Sequence, residues 1–187
     1  FFIVADPVMS FPAGVKDSGN VTLDLTQWSA GLAKGGASLG ASGKAKAKGA
    51  KITMPIIRAG KTHMLLDGNI EITAANGSKA VFGAPIIELA SGQVTAVAYG
   101  VKAPHTGNRV ALLTVDPKVK KQKSSVKSTK TQVVTTKITK GLPVAAALAP
   151  QVAFPGDALF PGETHSPGSP AGTFSSTWKA TKSLKKK

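Results

Sequence analysis

The side chains able to do chemistry are few. Histidine occurs only at His63, His105 and His165, tyrosine only at Tyr99, and cysteine nowhere in the 187 residues. Without cysteine there is no disulfide scaffold, no thiolate zinc site and no thiol nucleophile. Three scattered histidines with no H-x-x-x-H spacing do not make a structural zinc site, so no metal is expected. Gly36-Ala37-Ser38-Leu39-Gly40 spells G-x-S-x-G but has no helix signal after it, so it is no nucleophile elbow, and no G-x-x-x-x-G-K-[ST] phosphate loop is present. Glu71 and Glu88 lie within strand-like runs, where alternation turns them towards solvent and lysine partners rather than into an acid–base pair. Gly35, Gly36 and Gly40 lack the following helix that a phosphate cradle needs. The chain therefore reads as non-enzymatic, with no catalytic residue.

Charge is the stronger signal. There are 24 Lys and Arg against 9 Asp and Glu, a formal charge of +15, and all but Arg58 and Arg109 of those cations are lysine. A field of this size attracts anionic polymers whatever the fold. Sequence-specific nucleic-acid recognition favours Arg forks and stacking rings. Aromatics make up only 5% of this chain, so such recognition is not expected. Lys118, Lys120, Lys121, Lys123, Lys127 and Lys130 form a run without an acid and are the candidate polyanion-binding residues. Lys44, Lys46 and Lys48 stand at every second position, as on one face of an edge strand, where lysine also discourages unwanted pairing.

The elements that must hold these residues are strands. From Lys51 to Val115 apolar residues alternate with polar ones, and turn residues interrupt them every eight to twelve positions, the pattern of an all-β meander. Asn76-Gly77 closes one hairpin and Ser91-Gly92 another. Lys79–Phe82 and Ile86–Leu89 are expected as separate strands divided by Gly83 and Pro85. Gln93–Tyr99 and Arg109–Val115 follow, joined by a loop that holds His105. Thr26 is expected to cap a short helix ended by Gly35-Gly36, and the Ala-rich run Leu142–Ala149 to form a second. Phe154–Gly172 reads as a Pro/Gly-rich surface loop, and Thr173–Ser183 as a last strand before a Lys tail.

The fold class is thus all-β: an antiparallel β-sandwich or open barrel with one or two short helices and a basic C-terminal extension. Residues 1–20 form an extended N-terminal segment, 21–117 the principal β domain, and 118–187 a Lys-rich strand region, Pro/Gly loop and final strand that either completes the sandwich or forms a small second unit. The apolar start Phe1–Val4 lacks a basic flank, as in a mature chain after signal-peptide removal. Phe1–Phe11 could add to a sheet edge of another subunit and make a homo- or hetero-oligomer. No run reaches the roughly 20 apolar residues that span a bilayer as a helix.

Within Val21–Asp116 stand Met54-Pro55, Gly68-Asn69-Ile70-Glu71-Ile72, Asn76-Gly77-Ser78-Lys79 and Ser91-Gly92-Gln93-Val94-Thr95-Ala96, in that order. In these motifs the stretch resembles the haem-transport-associated (HtaA) domains of actinobacterial secreted and cell-surface proteins. The resemblance implies a β-rich extracellular or envelope module, some members of which bind haem through a tyrosine and a histidine. Carried to this chain, Tyr99 becomes the candidate axial ligand, assisted by His105 or His63, since phenolate and imidazole both hold haem iron. In the competing view the Tyr99 ring caps the core while its hydroxyl meets water. Two functions follow. The main one is a cofactor-free module acting by surface contact, as a structural subunit of an assembly or a binder of acidic envelope polymer; the alternative is a haem or hydrophobic-ligand carrier.

Overall fold

The computed structural model describes the backbone of residues 2–11, 15–60, 62–101, 103–115, 119–128, 131–138, 143–146, 153–154, 157–158 and 169–183, and side chains within 3–11, 17–60, 62–101, 103–115 and 171–176. Lys118, Lys130, His165 and the Lys185–Lys187 tail lie outside these residues.

The strands are β1 (Phe2–Ile3), β2 (Val15–Asp24), β3 (Ser38–Ser42), β4 (Lys46–Lys48), β5 (Lys51–Ala59), β6 (His63–Leu66), β7 (Asn69–Thr73), β8 (Lys79–Glu88), β9 (Gln93–Tyr99), β10 (Arg109–Thr114), β11 (Val119–Ser128), β12 (Thr131–Ile138), β13 (Pro143–Ala146), β14 (Ala153–Phe154), β15 (Asp157–Ala158) and β16 (Ser169–Ser183). One helix, α1 (Thr26–Lys34), separates β2 from β3. The fold is all-β and antiparallel, of the sandwich or open-barrel type. A 14-stranded sheet runs β1-β10-β13-β16-β2-β5-β6-β8-β7-β3, and β9 joins β8 to β10, so the strands wrap one core.

Period two accounts for that core. Ile52, Met54 and Ile56 of β5, Ile70 and Ile72 of β7, Ala80 and Phe82 of β8, and Val94, Ala96 and Ala98 of β9 are all buried, while the residues between them face outward. Trp28 and Leu32 of α1 close one side of the core. The Asn76-Gly77 hairpin forms as its residues require: Gly77 takes φ +88°, and the Ser78 amide donates to Asn76 Oδ1 at 2.9 Å.

Three local expectations are corrected. Thr26 does not cap α1. The N-cap is Leu25, and Asp24 Oδ1 instead accepts from the Thr26 amide at 3.3 Å and from its hydroxyl. The chain on either side of Pro85 is one strand, not two. A bulge between Gly83 and Ile86, with Ala84 at φ +46°, takes up the missing proline donor while β8 changes partner from β7 to β6, and bulges are where a strand tolerates proline. Finally, Pro143–Ala146 is strand, not helix. It pairs with β10 through Leu113↔Ala146 and with β16 through Pro143↔Thr173, and this sheet pairing overrides the helix propensity of alanine.

The apolar start finds its partner within the chain. Phe2 and Ile3 pair with Ala111 and Val110 of β10, and the Val4 amide donates to the Arg109 carbonyl at 2.9 Å. Residues 4–11 then cross the outside of the sheet as a strap, which reaches Arg58 and Gly60 at the end of β5. There the Arg58 guanidinium sits 5.4 Å from the Phe11 ring centroid.

Candidate functional site

Tyr99 ends β9 directly opposite Val81 of β8. Because Ala96 and Ala98 point into the core, Tyr99 and Val97 point out, and Tyr99 is 53% exposed. The ring therefore does not cap the core. Strand register builds a shallow surface around it. One cross-strand row runs Tyr99, Val81, Glu71, Gly40; the next runs Arg109, Val97, Gly83, Asn69, Ser42. A Cβ at Gly40 would meet nothing within 4 Å, and Gly83 has no side chain, so the Asn69 amide oxygen lies over it and the amide nitrogen donates to Ser42 Oγ at 3.1 Å. The result is low relief with Tyr99 and two valines as its apolar part. Lys79, exposed and 3.8 Å from Glu71, supplies a cation at its margin.

The loop after β9 keeps His105 at the same end of the sheet. The Gly107 amide donates to the Ala98 carbonyl at 2.7 Å, and the Ala98 amide to the Asn108 carbonyl at 3.0 Å, which closes the loop on the strand that carries Tyr99. Inside it the Asn108 amide donates to the His105 carbonyl at 3.0 Å, and the Asn108 side chain to the Pro104 carbonyl. Buried Val101 pins the loop to the core, and His105 is half-buried.

His63 is not part of this group. It pairs with Glu88 at the far end of β8, whereas Tyr99 pairs with Val81. At about 3.3 Å per residue, less the bulge, that separation is roughly 20 Å. His63 Nδ1 bonds Thr62 Oγ1 at 2.8 Å and lines a cleft of about 150 Å³ between the strap residues Val4 and Pro7 and the sheet residues Glu88 and Thr95. Ligand pockets start near 300 Å³, so this cleft is too small for a cofactor.

Arg109 was not singled out by sequence reasoning, yet it organises this side of the sheet. Its side chain is 7% exposed. Nε donates to Asp6 Oδ1 at 3.0 Å, and Nη1 donates to the Ala84 carbonyl at 3.0 Å and to Thr95 Oγ1 at 3.2 Å. One guanidinium thus ties the strap, the β8 bulge and β9. Of the candidate polyanion residues, Lys120, Lys121, Lys123 and Lys127 fall on β11, which pairs with β12. Among the described residues no group of three or more His, Cys, Asp or Glu could hold a metal ion, and no helix is long and apolar enough to cross a membrane.

No protein-family model and no curated protein sequence matches the chain. Two solved structures do. The fold is that of an HtaA-type domain: the C-terminal domain of HtaA from Corynebacterium glutamicum superposes with a TM-score of 0.52 and 14% identity, over 90% of this chain and 98% of that one. The heme binding protein HtaB from the same organism gives a TM-score of 0.46 and 9% identity, over 91% and 98%. At 14% identity the property shared with the HtaA domain is the architecture.

Proposed function

We propose that the chain is a non-enzymatic haem-binding module working at the cell envelope or outside the cell, with Tyr99 as the iron ligand and His105 assisting. The observation that carries this is the exposed phenol of Tyr99 on a shallow, partly apolar face, with His105 held on the loop that begins at that residue. A flat macrocycle needs low relief beside its ligand, and Val81, Val97 and the side-chain-free Gly40 supply it. The donor set fits as well, because tyrosine and histidine both ligate haem iron and cysteine is not required. The HtaA resemblance of the sequence points to the same pair of residue types. When bound, haem would supply an iron centre with an open coordination site. The chain's own part would be to present the phenol oxygen of Tyr99 beside Val81 and Val97, with Lys79 at the margin as a cation for carboxylates.

Absorption titration with hemin tests this. The unmodified chain should give a Soret band distinct from free hemin. Tyr99→Phe should weaken binding by more than the roughly 10- to 100-fold that loss of an outer-sphere partner costs, with His105→Ala falling in that range. His63→Ala, on the far end of β8, should bind as the unmodified chain does. Equal spectra and affinities for Tyr99→Phe and the unmodified chain would defeat the proposal.

A further inference from the structure

We propose that the β4–β5 hairpin is a second, separate binding surface, a ladder of lysines for a linear phosphate-bearing polymer, with Lys46 and Lys48 as its main contacts. This does not rest on the haem proposal and uses none of its residues.

The hairpin is built around a like-charge pair. Gly49 at φ +59° turns the chain so that Lys48 stands directly opposite Lys51, and Lys46 stands opposite Thr53. Like charges facing each other across an antiparallel pair are unfavourable, and the hairpin has little to offset them. Lys51 has Asp24 at 4.0 Å. Lys44, Lys46 and Lys48 are exposed and make no ion pair among the described residues. The cause is visible in the sequence: from Leu25 to Leu66 there are seven cations and no carboxylate. An anion laid along the strand would relieve the repulsion that the fold leaves in place.

The arrangement selects the shape of that anion. Among the described residues β4 pairs only with β5, so it is an edge there. Residues two apart on a strand are about 6.6 Å apart on one face, so Lys46 and Lys48 form a straight row that suits a chain of repeating charges better than a single ion. Lysine presents a compact point charge, which satisfies phosphate without the bidentate geometry that arginine imposes. The large exposed apolar residues among those described are Ile3, Val8, Ile57 and Tyr99; of these only Ile57 is on β5, and it lies four residues beyond Thr53, where the pairing with β4 ends. The surface therefore has nothing to stack on a base or to insert in a bilayer. Thr53, in the same row as Lys46, bonds Thr22 hydroxyl to hydroxyl at 3.2 Å and continues the polar face onto β2.

Edge protection is the competing role for these lysines, and the test separates the two. Long-chain inorganic polyphosphate carrying a fluorescent label is titrated with the full chain by anisotropy across a salt series. Removing two phosphate contacts should lower the slope of log affinity against log salt by about 1.5, at roughly 0.7 to 0.9 per contact. Lys46→Gln/Lys48→Gln should show that fall. Lys46→Glu/Lys48→Glu keeps the edge charged, so it should remain as dispersed by light scattering as the unmodified chain while losing polyphosphate binding. Lys120→Gln/Lys121→Gln/Lys123→Gln, on β11, should lose less than the hairpin variants. The proposal is overturned if the glutamate variant still binds polyphosphate, if the β11 variant takes the larger loss, or if the hairpin variants lose binding only to phosphatidylglycerol vesicles.

Discussion

Replacing Arg109 by methionine keeps an unbranched apolar stem, shorter than that of arginine, and removes the guanidinium with its hydrogen bonds. The three partners are not equivalent. Asp6 is 84% exposed and returns to water when the guanidinium is gone; an ion pair with one exposed partner is worth about 0 to 1 kcal/mol. Ala84 is likewise an exposed residue. The Thr95 hydroxyl is different, because Arg109 and Thr95 are 7% and 8% exposed and sit beneath the strap. A buried polar group left without a partner costs about 1 to 3 kcal/mol. One such group gives an expected loss of about 1 to 3 kcal/mol for Arg109→Met. Asp6→Asn should cost under about 1 kcal/mol, the range of an exposed pair. Urea melts of both variants would measure the contrast, and hydrogen exchange at the Val4 amide, bonded to the Arg109 carbonyl, would report whether the strap lifts. Equal losses for the two substitutions would refute the argument, since the exposed ion pair would then be the stabilising element rather than the buried bond to Thr95.

Ile72→Ala, at a site of zero exposure on β7, should cost about 2 to 5 kcal/mol once its cavity is included. Its neighbour Glu71 faces outward with a half-exposed lysine partner, so Glu71→Ala should stay within about 0.5 kcal/mol; paired denaturant melts that give equal losses would reject the strand register. Gly92→Ala should cost more than the roughly 1 to 2 kcal/mol of a left-handed L residue alone, because Gly92 holds φ +72° and a Cβ there would lie 1.6 Å from the Val115 carbonyl oxygen. A thermal midpoint unchanged in Gly92→Ala would show that the β8–β9 turn is built differently.

Local signals were the legible ones. Asn76-Gly77 and Ser91-Gly92 mark turns by their own backbone needs, and alternation from Ile52 to Leu112 names inward residues without knowledge of partners. Lys44, Lys46 and Lys48 likewise declare an edge. What depends on distant pairing was not legible. Pro85 looks like a strand break until β7 and β6 are seen to share β8 end to end, and alanines at 145 and 146 look helical until a gap between β10 and β16 takes them as strand. For the site, Tyr99 and His105 lie close in sequence, and their common place could be anticipated. The exclusion of His63 could not, since it follows from an unbroken β8. The burial of Arg109 had no local sign either, because its partner Asp6 is 103 residues away.

The position of β16 has a consequence for how the chain matures. Its residues Thr173–Lys182 pair with Asp24–Val15 of β2, so β2 waits for a strand made well over a hundred residues later. Contacts of such sequence separation slow folding, because the chain entropy of closing the loop is lost before the contacts form. Until β16 arrives, β2 has β5 on one side and an open row of amides and carbonyls on the other, the kind of template that recruits foreign strands. A chain of this order gains from staying extended and guarded until β16 is available, then collapsing in one step.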